Sequence, residues 1–449
     1  MPKDSIYTVS ADIKAKGYGT DFLSSRSRLT ASTTVRQIQY GSWNLKNLSA
    51  QAHLQNGRGR VTVTGHNELF DGTVGIDALL STKKFDGTVS ADLAKADLFR
   101  MRLMDKPLTI GMCGHLDITS DMKETHHVNG LISELYIQDD KKTYRPEDVG
   151  LLVSTTTDTT YVRAQSGDLI VKLDAKGGYE RLLRQMTTLA DSVMAQYNQK
   201  VIDQQAIKRL LPTMKLHVES KRDNPIVNLL NINNIDFKEL CVDMASSPET
   251  GINGKSHLYS LNYDSIRIDT IRLDLTQKGD KLTYQGQIRN NRRNPQFVFN
   301  ALIDGHVHEH GALAGVRYYD DHGKLGVRVG ATAEMEDGGI RFKLLPERPT
   351  LGYKEFNLNE DNFIFLGSDK KIQAKVDLIA DDKTGLKLYT ANQDASMLQD
   401  LTLSVNRLDL GEISSVVPYL PKVTGKLHGD YHILIISRSE ERFSRNAET

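Results

Sequence analysis

Leu169-Ile170-Val171-Lys172-Leu173-Asp174-Ala175 carries an apolar side chain at every second position, with a lysine and an aspartate in the gaps. That period of two marks a strand with one apolar and one polar face. The scheme recurs in Leu282, Tyr284, Gly286 and Ile288, in Leu325, Val327, Val329 and Ala331, and in Ile372, Ala374, Val376 and Leu378. Between the runs stand turn signals: Asn56-Gly57, Asp71-Gly72, Asp86-Gly87, Asn129-Gly130, Asn253-Gly254 and Asp337-Gly338-Gly339. A hairpin-rich, mainly antiparallel protein is expected. Phe70-Asp71-Gly72-Thr73-Val74 returns as Phe85-Asp86-Gly87-Thr88-Val89, a spacing that one strand and one turn would fill.

Two runs slip phase. Ile266 and Ile268 give way to Ile271, Leu273 and Leu275, and Leu401, Leu403 and Val405 to Leu408 and Leu410. A slip sends later side chains to the other face unless a bulge or corner absorbs it, so bends are expected near Asp269-Thr270 and Asn406-Arg407.

One stretch breaks the β pattern. From 179 to 211 there is no Gly or Pro, and Leu182, Met186, Leu189, Val193, Tyr197 and Val201 recur at steps of three and four. Gly177-Gly178 precedes this amphipathic helix and Pro212 stops it. At 1.5 Å per residue it would reach about 50 Å. Its stripe suits a packing face against a sheet, a lid over an open groove, or a partner surface. The expected organisation is a β-rich segment 1–178, the helix 179–212, a β-rich groove segment 213–436 and a disordered polar tail 437–449.

Composition excludes several roles. Lys plus Arg and Asp plus Glu both number 57 in 449 residues, so no basic excess exists to neutralise phosphates, and nucleic acid is not an expected partner. Cys113 and Cys241 are the only cysteines, too few for a disulfide framework or a thiolate metal site. No run of apolar residues is long enough for a spanning helix, and the first residues lack the basic and apolar regions of a signal peptide. The chain reads as a segment of a longer one.

No catalytic motif emerges. Gly17-Tyr18-Gly19-Thr20-Asp21-Phe22 has Phe22 where a dinucleotide loop needs a third glycine, and hydrolase-elbow, His-Glu-x-x-His and phosphate-loop strings are absent. No cofactor is expected. With Trp43 as the sole tryptophan and no evident carboxylate pair, glycoside chemistry is disfavoured. His306, His308 and His310 would share one strand face and allow zinc to bridge two of them, against the plainer reading of a polar strand ending at a Gly turn. His126-His127 is a weaker pair. Arg289-Asn290-Asn291-Arg292-Arg293-Asn294-Pro295 reads as a solvated hairpin turn.

The last quarter carries Leu344-Leu345-Pro346-Glu347, Asn359-Glu360-Asp361-Asn362-Phe363-Ile364, Leu401-Thr402-Leu403-Ser404-Val405, Leu408-Asp409-Leu410-Gly411-Glu412-Ile413 and Pro421-Lys422-Val423-Thr424-Gly425-Lys426-Leu427-His428-Gly429-Asp430-Tyr431. Together these resemble TamB-like translocation and assembly proteins of the AsmA-like superfamily, in their Bacteroidetes form. The resemblance implies an elongated, curled β-taco in the periplasm of a Gram-negative envelope. Such a body conducts phospholipid toward the outer membrane, or assists protein translocation and assembly there with an outer-membrane barrel partner. The family's membrane anchor and partner-docking domain have no counterpart in these residues, and it offers no catalytic residues to carry over.

The alternation fits that expectation independently, because a sheet with one apolar face and a single helix to cover it would leave a trough. At a strand and turn per fifteen residues, the β portion would hold about 25 strands and stack to roughly 120 Å. Leu169, Val171, Leu173, Leu325, Val327, Val329, Ile372, Val376 and Leu378 are the candidate lining for phospholipid acyl chains. Packing in a closed core is the competing assignment for each, and a structural or adhesive cell-surface module is the alternative function.

Overall fold

The computed structural model describes residues 6–40, 43–199, 201–294, 296–369, 371–390, 397–421 and 423–436. The tail 437–449 and Pro295 therefore lie outside the described residues. Strands account for 62% of the protein, and the helices Tyr179–Gln199, Gln204–Leu210, Pro225–Asn231 and Leu410–Ser415 are the exceptions among the described residues. The strands form a large antiparallel sheet that does not close into a barrel. None of the described helices is long and apolar enough to cross a membrane.

The chain divides into two compact units. The first comprises Met1–Arg184 and Thr213–Asp243, the second Gln185–Pro212 and Met244–Thr449. In the first, strands pair mostly with their neighbours in sequence, from Ile6–Tyr18 against Arg28–Tyr40 through to Thr159–Ser166 against Leu169–Lys176. Met214–Ser220 then adds to Leu169–Lys176, with Val171 opposite Val218 and Leu173 opposite Leu216. In the second unit the same meander runs from Gly251–Tyr263 to Leu325–Glu336 and Gly339–Leu351. It ends with Met397–Asp409 paired to Lys426–Ile436.

Local chemistry explains where hairpins turn. Asn56 and Gly57 both have positive φ, 56° and 71°, and close a two-residue loop in which Gln55 faces Arg58. Asp337-Gly338, with Gly338 at φ of 84°, closes another two-residue loop between Glu336 and Gly339. The repeat at Phe70 and Phe85 opens two successive strands, Phe70–Leu79 and Phe85–Asp97, as one strand and one turn per copy. Asp71-Gly72, Asp86-Gly87, Asn129-Gly130 and Asn253-Gly254, expected as turns, lie inside strands instead. Gly130 shows why: a Cβ there would meet Leu116 Cδ2 at 2.3 Å, so the glycine makes room for a large cross-strand side chain.

Both phase slips coincide with irregular backbone. At the second, the pairing shifts between Val405 and Leu408, and Arg407 has φ of 48°. At the first, Tyr259 still faces Thr270 and Leu261 faces Ile268, but Ser260 between them has φ of 55°. Both strands thus exchange their apolar face together, without a change of register. Asn290, 1% exposed, supports this corner: its carboxamide accepts from Asp269 N at 2.8 Å and donates to Arg267 O at 3.0 Å.

The helix expected to run to 211 ends at Gln199, and Gln204–Leu210 is separate. Asp203 accounts for the break. Its carboxylate accepts from Ala206 N at 2.8 Å as an N-cap, while its backbone exchanges two 3.0 Å bonds with the Gln196 side chain. The 21-residue helix is amphipathic in sequence, yet Leu182 is its one described buried residue, and Met186, Val193 and Tyr197 are exposed.

A closed core forms in the second unit from Phe356, Leu358, Val376, Leu378 and Ala380, with Leu344, Leu351, Ile364, Leu386, Leu388 and Leu408 packed against it. A second cluster joins Phe299, Tyr318 and Val416. Leu378→Ala should lower the stability of this unit by ~2–5 kcal/mol, the usual cost of emptying a filled site. Ile76→Ala, in the first unit and already open to solvent, should cost clearly less. Chemical denaturation of both variants checks the contrast.

Candidate functional site

The pairing registers align the apolar positions of successive strands. In the first unit one row runs Ala15, Ala31, Ala52, Val61, Ile76, Val89, Leu116, Gly130, Leu151, Ala164, Val171 and Val218, each opposite the next. Beside it runs Leu29, Leu54, Gly59, Ala78, Gly87, Ile118, Val128, Val153, Val162, Leu173 and Leu216. Neither row contains a polar side chain. Directly opposed residues share a face, so the two rows form one apolar surface.

The reverse face carries a row of opposite character: Lys16, Thr30, His53, Arg60, Asp77, Thr88, Asp117, Asn129, Leu152, Arg163, Lys172 and His217. Leu152 is its apolar exception. Arg60 donates to Asp77 at 2.7 Å and Thr88 to Asp117 at 2.9 Å. The Arg58 and Arg60 guanidiniums hold the Asp77 carboxyl below its usual range, with the Arg58 hydrogen bond contributing most.

The apolar surface is only partly covered. Val61 is 44% exposed and Ile76 45%, side by side in the first row, and most other members are half-buried. The second unit repeats the design with Leu258, Ile271, Ile288, Ala301, Tyr318, Val327 and Leu351 in one row, and Leu273, Gly286, Ile303, Val316 and Val329 in the next. Leu273 is 40% and Val316 36% exposed. Exposed apolar residues that share a face with further half-buried apolar neighbours make this surface the candidate for an interaction face.

The residues assigned to the groove from sequence divide accordingly. Val171 and Leu173 lie in the rows of the first unit, half-buried, whereas Leu169 is buried at the strand start opposite Ser166. Val329 is half-buried in the open row, and Val327 packs against the Phe299, Tyr318 and Val416 cluster. Leu325 is set out of phase by a bulge, facing Tyr319 while Val327 faces Tyr318. Ile372 is half-buried opposite Leu366. Val376, 2% exposed, and Leu378 belong to the closed core and have no free surface to offer a ligand. Val61, Ile76, Leu273 and Val316 were not assigned to the groove from sequence, because alternation shows which residues share a face but not which part of it stays uncovered.

The three histidines do not form one set. His306 and His308 end the strand Phe299–His308, ring centroids 5.7 Å apart, but Glu309-His310 is the two-residue loop that returns the chain to Gly311. His308 pairs with Glu334 at 3.3 Å and His310 with Glu309 at 3.7 Å. His126 and His127 bond separately, to Ser120 and Ser154, each at 2.7 Å. Arg292 and Arg293 are exposed in the connection between Lys281–Asn290 and Phe299–His308, as a solvated turn requires.

One cluster has no trace in the sequence reading. His217 on Met214–Ser220 and Cys241 and Asp243 on the paired strand Glu239–Ser247 bring their ligand atoms within 4.8 Å of one another. Cys241 and Asp243, two apart, share a strand face. His217 Nδ1 lies 2.6 Å from Asp243 Oδ1, and Cys241 Sγ donates to Asp243 Oδ2 at 3.5 Å. Burial, aided by Asp243, pushes the thiol up to about 11. Two cysteines alone had argued against a thiolate site; the pairing supplies the other donors.

Comparison with protein-family models, characterised proteins and solved structures finds no match to this chain.

The titration of His306 is testable. Burial lowers its value from the ordinary 6.5, and the charges of Lys281 and His308 lower it further while Glu334 opposes them. The folded state thus disfavours the imidazolium. Its contribution is complete above the ordinary value and is lost as pH falls through the lower folded value. Between pH 7.5 and 5 the protein should lose stability that His306→Gln does not lose, measured by denaturation at each pH.

Proposed function

We propose that this chain is a non-enzymatic segment of an envelope-biogenesis protein, one that carries phospholipid acyl chains along the apolar face of its sheet. One observation supports this above others: the apolar rows continue across strand after strand without a polar interruption, and Val61, Ile76, Leu273 and Val316 within them remain open to solvent. A face built for packing alone would be covered by a second layer. Acyl chains need only a continuous apolar surface and no hydrogen-bonding partner, so their burial is favourable at roughly 25 cal/mol per Å². The polar reverse face suits an aqueous compartment. The resemblance of the last quarter to TamB-like proteins agrees with this reading and supplies its setting, the periplasm, and its direction, toward the outer membrane. Assistance to protein assembly with an outer-membrane barrel partner belongs to the same proposal.

A specific observation favours the second reading, a module acting by protein contacts. The helix Tyr179–Gln199 exposes Met186, Val193, Met194 and Tyr197, a stripe suited to another helix or to a groove.

Photoreactive residues separate the two. Placed at Val61, Ile76 or Val316 and irradiated in the presence of phospholipid vesicles, they should crosslink to lipid, and the same probe at Val376 should not. Ile76→Asp should abolish lipid retention in native mass spectrometry, whereas Gln51→Glu on the reverse face should leave it intact. Protein free of lipid in both assays, with crosslinks from Val193 to another polypeptide, would replace the first reading by the second.

A further inference from the structure

The geometry points to a binding site for a thiophilic divalent cation of the zinc class, formed by His217, Cys241 and Asp243 on the polar side of the first unit. The three donors are the imidazole, thiolate and carboxylate that zinc sites combine, and three protein ligands with one open position is a common arrangement for that ion. The spacing is already close to what the ion requires. In a tetrahedral centre with metal distances of about 2.0–2.3 Å, donor atoms lie about 3–3.7 Å apart; here the thiol stands 3.5 Å from one Asp243 oxygen, the imidazole 2.6 Å from the other, and one donor atom from each residue lies within 4.8 Å of the rest, so small side-chain rotations would seat an ion. All three side chains leave from two hydrogen-bonded strands, so the backbone that holds them is fixed. The Asp243 side chain is 61% and the His217 side chain 33% exposed, so an ion has direct access from solvent.

The surroundings carry the right sign. Glu219 follows His217 by two residues on its strand, and Glu239 precedes Cys241 by two on the other, so alternation sets both beside the site. Their negative charge reaches the Cys241 sulfur. Either carboxylate, or a water, would complete the coordination. Opposing charges are Lys172, directly opposite His217, Lys215, two residues before it on the same strand, and Lys221, which pairs with Glu219 at 3.0 Å. On binding, the Cys241 thiol releases its proton to solvent and the sulfur lone pair forms the metal bond, with no change of oxidation state. The site is independent of the acyl-chain reading, because it lies on the opposite face of the sheet.

The full chain, stripped of metal, is titrated with cobalt(II) and then with zinc. One equivalent of cobalt should produce a thiolate-to-cobalt charge-transfer band in the near ultraviolet, and zinc should abolish it. Cys113→Ser should keep the band and Cys241→Ser should lose it. His217→Gln and Asp243→Asn should each weaken binding by more than the roughly 10–100-fold that loss of an outer-shell partner costs. Circular dichroism of each variant confirms that the strands persist. No band, a band that survives Cys241→Ser, or unchanged affinity in both His217→Gln and Asp243→Asn would overturn the site.

Discussion

Everything distinctive about this protein depends on cross-strand register. Side chains alternate faces along a strand, so a slip of one residue in any hairpin would turn a whole strand's apolar set to the polar side. The rows from Ala15 to Val218 and from Leu258 to Val327 exist because each pairing preserves the phase set by the one before, and Leu351 joins the second row across a register shift between Arg328 and Gly330. Where phase is lost, the backbone marks the place: Ser260 and Arg407 adopt positive φ, and Asn290 stitches the first corner to its neighbour. Tight turns such as Asn56-Gly57 serve the same end, since loop length and turn type fix which residues face each other.

The same arrangement brings charges of the polar face together. Opposite charges on the polar face meet across strands, as Arg60 does Asp77 and Arg317 does Asp304 at 2.7 Å. Exposed pairs of this kind contribute at most about 1 kcal/mol each, so they keep the reverse face wet and evenly charged more than they stabilise it. Stability comes from burial, and burial is uneven. The Phe356, Leu358, Val376 and Leu378 core is sealed, while the rows around Ile76 and Val316 are not. A sheet that leaves part of its apolar face open gives up some folding energy there.

The β character, the hairpin habit and the two places where alternation breaks were legible in the sequence, because period-two alternation and its slips are local consequences of strand geometry; that the first break falls on the partner strand, at Ser260, was not. The Phe70 and Phe85 repeat likewise reported one strand and one turn. Gly-containing dipeptides were less reliable guides. Asn129-Gly130 has the composition of a turn, but the glycine is there to admit Leu116 from the next strand, a demand that only the pairing reveals. A helix does begin at Tyr179, but the long helix to Leu211 does not form, since Asp203 looks like any polar helix residue until its carboxylate caps the following turn.

Local sequence thus determined which residues belong to an apolar face, because alternation is written into each strand separately. Tertiary structure alone decided which of those residues are sealed and which are open, since coverage depends on what packs above each one. Val376 and Val329 have the same pattern around them and different surroundings. It alone also assembled His217 with Cys241 and Asp243, because no local spacing connects residues that meet only when two strands pair.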